Sequence, residues 1–111
     1  MVKLIREGNI TIPYNDWRHA DIRYVMKIGS RLIACCIIKM KDGKRGMLKF
    51  WFADECMEEG YGYLIIEEAL RDAEKEYGDV VIEVHRVGDK YRDMLKHLGF
   101  SPKNMKYVIH L

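Results

Sequence analysis

At Gly60 the sequence changes period. Before it, from Ile22 to Ala53, apolar residues come in β-branched and aromatic runs broken by short polar turns. After it, Ile66, Ala69, Leu70, Ala73 and Tyr77 recur at helical spacing, with Glu67, Glu68, Arg71, Glu74 and Lys75 between them. The first pattern suits strands and the second an amphipathic helix. A chain that passes from one to the other through Gly60-Tyr61-Gly62 must carry a strand into a helix across a glycine turn. Glycines at i and i+2 serve two purposes there. They let backbone approach a phosphate at a helix N-terminus, or they make an ordinary tight turn.

The strand region resolves into a meander. Ile22–Ile28 and Arg31–Met40 flank Gly29-Ser30, a hairpin signal, and Lys41-Asp42-Gly43-Lys44 is the next turn before a third strand, RGMLKFWFA, at 45–53. Further upstream, NITIP (Asn9–Pro13) reads as a short strand, followed by a polar stretch over Tyr14–Asp21. The helix is expected over about 61–77, ending at Gly78. VVIEV (Val80–Val84) reads as a strand buried on both faces. Asp89 is placed to cap a second helix, whose stripe is Tyr91, Met94, Leu95 and Leu98 and whose stop is Gly99. KYVIHL (Lys106–Leu111) alternates as a last strand. The order implies an α/β class (α+β) with a mixed, mostly antiparallel sheet and two main helices, in one domain over 1–111.

Composition narrows the classes of function. A net charge of +2 with 32% charged residues is a mixed surface, which weighs against nucleic acid as a partner. A sheet face carrying Trp51 and the Lys39–Arg45 hairpin is the place where such a partner would bind. No 18-residue apolar segment is present, and MVKLIREGNI lacks the apolar run of a signal peptide, so neither a membrane partner nor export is expected and the cytoplasm is. Cys35, Cys36 and Cys56 have no disulfide or metal-ligand spacing, which fits a reducing compartment and no bound metal. Cys35 and Cys36 should point to opposite faces of one strand.

KIGSRLIACCII, MEEGYGYLIIEEALRDAEKEYG, VVIEV and KYRDMLKHLGF come in an order that resembles the GNAT (GCN5-related N-acetyltransferase) superfamily over about four fifths of the chain. The second segment resembles the family's acetyl-CoA motif, Gln/Arg-x-x-Gly-x-Gly/Ala, and the fourth its Gly-Phe helix. The resemblance implies a sheet whose strands 4 and 5 splay apart, with acetyl-CoA as co-substrate in the gap and a small-molecule or protein amine as acceptor. It implies cofactor binding by Met57, Gly60, Tyr61, Gly62 and Tyr63 at the pyrophosphate and by Trp51, Phe52 and Ala53 along the pantetheine arm. Such a transfer needs a base for the amine proton and an acid for the thiolate. Asp54, Glu55 and His85 are the candidate bases because they lie near the C-terminal ends of neighbouring strands, and Tyr91 is the candidate acid. A histidine titrates in the neutral range. Asp54 and Glu55 also read as solvated turn residues.

Three departures accompany the resemblance. Met57 stands at the loop Gln/Arg position, and Leu95 stands where the family's tyrosine precedes Gly-Phe. The acceptor-side region before Ile22 is shortened. Glu58 and Glu59 also bring negative charge to the glycine turn. These departures support the alternative of a non-catalytic GNAT-like structural or binding protein, such as a phage virion or head-assembly component. A bare sheet edge leaves room for a homodimer.

Overall fold

The computed structural model describes residues 2–6 and 19–111. The expected strand at Asn9–Pro13 and most of the polar stretch after it lie outside these residues. Seven strands form one sheet: β1 (Val2–Arg6), β2 (Ile22–Ile28), β3 (Arg31–Met40), β4 (Arg45–Phe52), β5 (Val81–His85), β6 (Ser101–Lys103) and β7 (Lys106–His110). Among the described residues three α-helices accompany them: α1 (Asp54–Glu58), α2 (Tyr61–Tyr77) and α3 (Arg92–Leu98). The strand order is β1-β2-β3-β4-β5-β7-β6, and every neighbouring pair is antiparallel except β4 and β5. The mixed, mostly antiparallel sheet is therefore as expected.

Both meander turns form where the sequence placed them. Gly29 takes φ +61°, which a tight hairpin favours. In the second turn the Asp42 carboxylate accepts hydrogen bonds from the Lys44 and Arg45 amides at 2.7 and 2.9 Å. That turn supports itself by a side chain mimicking backbone.

Strand alternation sorts the core. Cys36, Ile38, Leu48 and Ile82 face α2, which covers them with Ile65, Ile66, Ala69, Leu70 and Ala73. Burying Ile65, Ile66 and Leu70 alone contributes on the order of 6 kcal/mol, at about 2 kcal/mol each. On the opposite face Val25, Cys35 and Ile37 cluster with Ile5, Ala20 and Leu32. Cys35 and Cys36 do point to opposite faces. An ion-pair cluster ties the edge of the sheet to α2, with Arg6 reaching Asp72 and Glu76 at 3.2 and 2.5 Å. The Tyr24 hydroxyl donates to the same Asp72.

Four elements differ from the sequence expectation. Strands β1 and β6 were not foreseen, and β6 carries Pro102 on the sheet edge, where a missing N–H costs nothing. Helix α1 occupies DECME, inside what read as a turn. Asp89 is not a helix cap. It opens a 3-10 turn over Asp89–Tyr91 that leads into α3, and no side chain caps either element. Gly78 and Gly99 end their helices as expected, with φ of +74° and +106°.

Candidate active site

Among the described strands β4–β5 is the parallel pair, and its ladder is short. Arg45, Gly46 and Met47 pair with Val81, Ile82 and Glu83, and there the pairing stops. Beyond that point β4 runs on to Phe52 paired only with β3, and β5 runs on to His85 paired only with β7. The two strands splay, as the resemblance implied. Backbone direction follows from alternation along β4. The Lys44 carbonyl accepts from the Val81 amide on the β5 side, whereas the Ala53 amide donates to the Ile33 carbonyl on the β3 side. Leu48, Phe50 and Phe52 therefore turn their N–H and C=O groups toward the gap.

The gap holds a hollow of about 270 Å³. Leu48, Lys49 and Phe50 line it from β4, Val84 and His85 from β5, and Arg86, Val87, Gly88 and Tyr91 from the segment leading into α3. On the α2 side three aromatic rings wall it. Phe50 and Phe52 stack at 4.8 Å, and Tyr91 meets them edge-on at 5.1 and 5.9 Å. These are favourable offset and edge-to-face separations. A second hollow of about 270 Å³ lies on the same side, lined by Met57, Gly60, Gly62, Tyr63, Met94 and His97. The aromatic trio stands between the two, because the Phe52 ring also lies against Gly62.

The two glycines have different reasons to be there. Gly60 has φ +75° and open space around it, so its role is conformational. At Gly62 a Cβ would come 2.7 Å from Cε2 of Phe52, so its role is close packing. Together they start α2 with no side-chain cap and no acidic residue in the first turn. Glu58 and Glu59 belong instead to the end of α1, and both are exposed. A 17-residue helix thus presents its unpaired first-turn N–H groups and positive dipole end beside the second hollow.

The other mouth of the gap is polar. Register places Glu83, His85 and Lys106 on the face away from α2. The Glu83 carboxylate is 6% exposed, forms an ion pair with Lys106 Nζ, and lies 3.8 Å from His85 Nε2. Its hydrogen bond with Lys106 holds its pKa below the ordinary carboxylate value, against the opposing effect of burial.

The sequence-derived candidates separate on this geometry. His85 and Tyr91 meet at the gap. Glu55 does not: it pairs with Arg31 at 2.5 Å, on the β3 side of β4. Met57, Gly60, Gly62 and Tyr63 gather at the second hollow, and Tyr61 packs on the core beside them. Of Trp51, Phe52 and Ala53, only Phe52 turns its backbone to the gap. Trp51 is 40% exposed, and its side chain lies on the far face of the sheet opposite Cys35. Sequence reasoning missed Glu83, Lys106, Lys49 and Arg86. Glu83 did carry a signal, as the one charge inside VVIEV. Arg86 takes φ +56°, an uncommon conformation for a non-glycine residue and one found at functional sites. Among the described residues no group of three or more His, Cys, Asp or Glu side chains is arranged to hold a metal, and no helix is long and apolar enough to cross a membrane.

No family model matches the sequence, and no curated protein does. Solved structures do match it. An IAA acetyltransferase from Bacillus cereus superposes with a TM-score of 0.76 at 15% identity, covering 100% of both chains. A GNAT family acetyltransferase from Elizabethkingia anophelis with acetyl-CoA bound gives 0.75 at 14% identity, over 99% of this chain and 98% of that one. The N-acetyl transferase candidate YhhK from E. coli, bound to coenzyme A, gives 0.68 at 15% identity, over 100% and 99%. The chain has the GNAT fold. At such identities the likeness is one of backbone, so residue roles in this GNAT fold rest on the geometry above.

Proposed function

We propose that the chain is an acetyl-CoA-dependent N-acyltransferase that transfers an acetyl group to an amine. The observation that carries this reading is the splayed β4–β5 gap. Its aromatic wall separates it from a second hollow beside the uncapped start of α2, and its other mouth carries His85 and Glu83. Tyr61, Gly62 and Tyr63 would hold the pyrophosphate by backbone N–H groups, with Met57 supplying only apolar contact. The backbone of Leu48, Phe50 and Phe52 would hold the pantetheine arm as an added strand would be held. His85 would accept a proton as the amine nitrogen bonds to the thioester carbon, with Glu83 orienting its ring. As the C–S bond breaks, Tyr91 would donate a proton to the departing sulfur.

The acetyltransferase descriptions of the structural neighbours favour this reading over a non-catalytic assembly protein. The buried free thiols of Cys35, Cys36 and Cys56 suit work in a reducing, cytoplasmic compartment. The test is thermal unfolding with CoA. At a hundred times its Kd, CoA adds about 2.7 kcal/mol, a rise in Tm of about 10 °C for a domain of this size. An unmoved Tm at millimolar CoA refutes the proposal.

A further inference from the structure

His85 lines the gap, whereas Glu83 and Lys106 reach it through that ring. Register sets the three side by side. His85 pairs with Lys106 and Glu83 with Val108, so Lys106 stands directly across from His85 on the face away from α2. Its side chain reaches diagonally to Glu83, where Nζ donates to Oε1. The other carboxylate oxygen, Oε2, is the one that lies 3.8 Å from His85 Nε2. One carboxylate thus faces a cation with one oxygen and an imidazole with the other.

The turn before β7 fixes this placement. Asn104 and Met105 take φ of +50° and +64° between the paired residues Lys103 and Lys106, as a two-residue primed hairpin requires. Neither is a glycine, so the turn carries strain. Met105 is fully exposed, and no packing of its side chain offsets that strain. What the turn secures is register, since a slip of one residue would carry Lys106 to the α2 face.

The ion pair is not needed to hold β7 on β5. Five consecutive residue pairs, from Val81 with His110 to His85 with Lys106, already join them. A buried ion pair adds little to stability, because desolvation of both charges offsets their attraction. Glu83 is nonetheless the one acid in β5, and it is buried. A buried carboxylate with no cation beside it tends to take up a proton and lose its charge. Lys106 opposes that by its hydrogen bond and its charge. Among the described residues the other charged groups acting on Glu83 are Arg45 on β4 and His85 on its own strand.

We propose that Lys106 is a positioning residue of the transferase, one that keeps the Glu83 carboxylate ionised with Oε2 turned to His85. The assignment rests on the transferase reading above. At 3.8 Å Glu83 acts on the neutral ring by charge rather than by a hydrogen bond. Its attraction strengthens when His85 takes the amine proton and becomes an imidazolium. The proton passes from the amine nitrogen to His85 and stays there, because Lys106 keeps Glu83 from accepting it.

Two measurements test this. The first is turnover with acetyl-CoA and whichever of benzylamine, spermidine and glutamate reacts fastest. K106M should lower kcat about tenfold, the lower end of what a group acting through its neighbour contributes, with the KM of both substrates unchanged. K106R should restore most of the loss. K106M leaves a buried charge unpaired and weakens the fold, so E83Q/K106M, which removes both charges, completes the cycle. In the E83Q background the loss of Lys106 should lower kcat no further. An unchanged kcat with a lowered Tm would make the pair structural. A double variant slower than E83Q alone would make Lys106 act by itself, and a raised amine KM would make it an acceptor contact. Each of these overturns the proposal with the transferase reading intact.

The second measurement needs no turnover. Carbon-13 spectra of the side-chain carboxyls should show Glu83 titrating below 4.5 in the parent and above it in K106M. The His85 ring resonances should step at the Glu83 midpoint in both proteins. A Glu83 midpoint that ignores Lys106, or a His85 ring that ignores Glu83, overturns the assignment even in a protein that acetylates amines. A parent protein that gains no stability from CoA and acetylates none of the three amines refutes the transferase reading, and the assignment with it.

Discussion

Replacing Gly62 by alanine tests whether close packing against Phe52 is what requires a glycine there. In an exposed helix interior Gly→Ala gains up to about 1 kcal/mol from helix propensity. Here the new methyl would lie 2.7 Å from Cε2 of Phe52 and 3.1 Å from Cδ2 and Cζ, an overlap along one whole edge of the ring. Carbon atoms attract only from about 3.5 Å outward, so the methyl or the ring must move by roughly 0.8 Å. The ring is poorly placed to yield. It is 7% exposed, stacked on Phe50 at 4.8 Å and met edge-on by Tyr91. Overpacking of this kind costs about 1–3 kcal/mol. Against the propensity gain, Gly62→Ala should therefore destabilise by about 1 kcal/mol and lower Tm by about 4 °C.

The assay is a double-mutant cycle with Phe52→Leu, read by urea unfolding. If the overlap is the cause, shortening the ring removes it, and the double variant loses about 2 kcal/mol less than the sum of the single losses. Binding should follow stability. Gly62→Ala pushes Phe52 toward Tyr91, which lines the gap, so CoA affinity falls and recovers in the double variant. A Gly62→Ala protein that is more stable than the parent, or single losses that add within about 0.4 kcal/mol, would refute the packing argument.

Two titrations give further predictions. Burial and the hydrogen bond to Asp72 raise the Tyr24 pKa to about 12 from 10.0. The associated stability is complete below pH 10 and lost as pH climbs toward 12, so Tyr24→Phe should flatten the alkaline limb of Tm against pH. Glu83 is shifted the other way, held below 4.5 chiefly by Lys106. Its contribution is complete above pH 4.5 and lost as pH falls through the depressed value, so Glu83→Gln should flatten the acid limb in the same measurement.

What the sequence made legible was what local pattern encodes. Helix α2 announced itself because five apolar residues repeat at its own period over a long segment. The glycine stops at Gly78 and Gly99 hold because a terminal residue at positive φ is a local demand. What escaped depends on partners distant in sequence. Strand β1 pairs on one side only, with its burial limited to Val2 and Ile5, so VKLIR carries no strong alternation. Helix α1 is five residues long, too short for periodicity, and rests on Asp54 and Glu55 at its positive end and Cys56 in the core. Glu83 and Lys106 are 23 residues apart and meet only because β7 lies beside β5. The candidate site is harder to read than the fold for this reason, since its groups are joined by strand register.

The proposed proton donor, Tyr91, depends on local chain path in the same way. Leu95, at the family's tyrosine position, is 0% exposed and belongs to the core, so this turn of α3 presents no hydroxyl to the gap. Tyr91 sits a turn earlier, and it reaches the gap because the chain enters α3 through the 3-10 turn Asp89–Tyr91. Its ring is already fixed there by Phe50 and Phe52. Tyr91→Phe keeps that ring and removes only the hydroxyl, so unfolding and CoA affinity should not change. If the hydroxyl protonates the departing sulfur, kcat should fall about a hundredfold, the lower end of what a positioned general acid contributes. A leaving group that needs no protonation should lose its dependence on this residue, so an activated acetyl thioester of an acidic thiol should react equally with both proteins. An unchanged kcat in Tyr91→Phe would reduce Tyr91 to a wall of the gap and leave protonation to solvent.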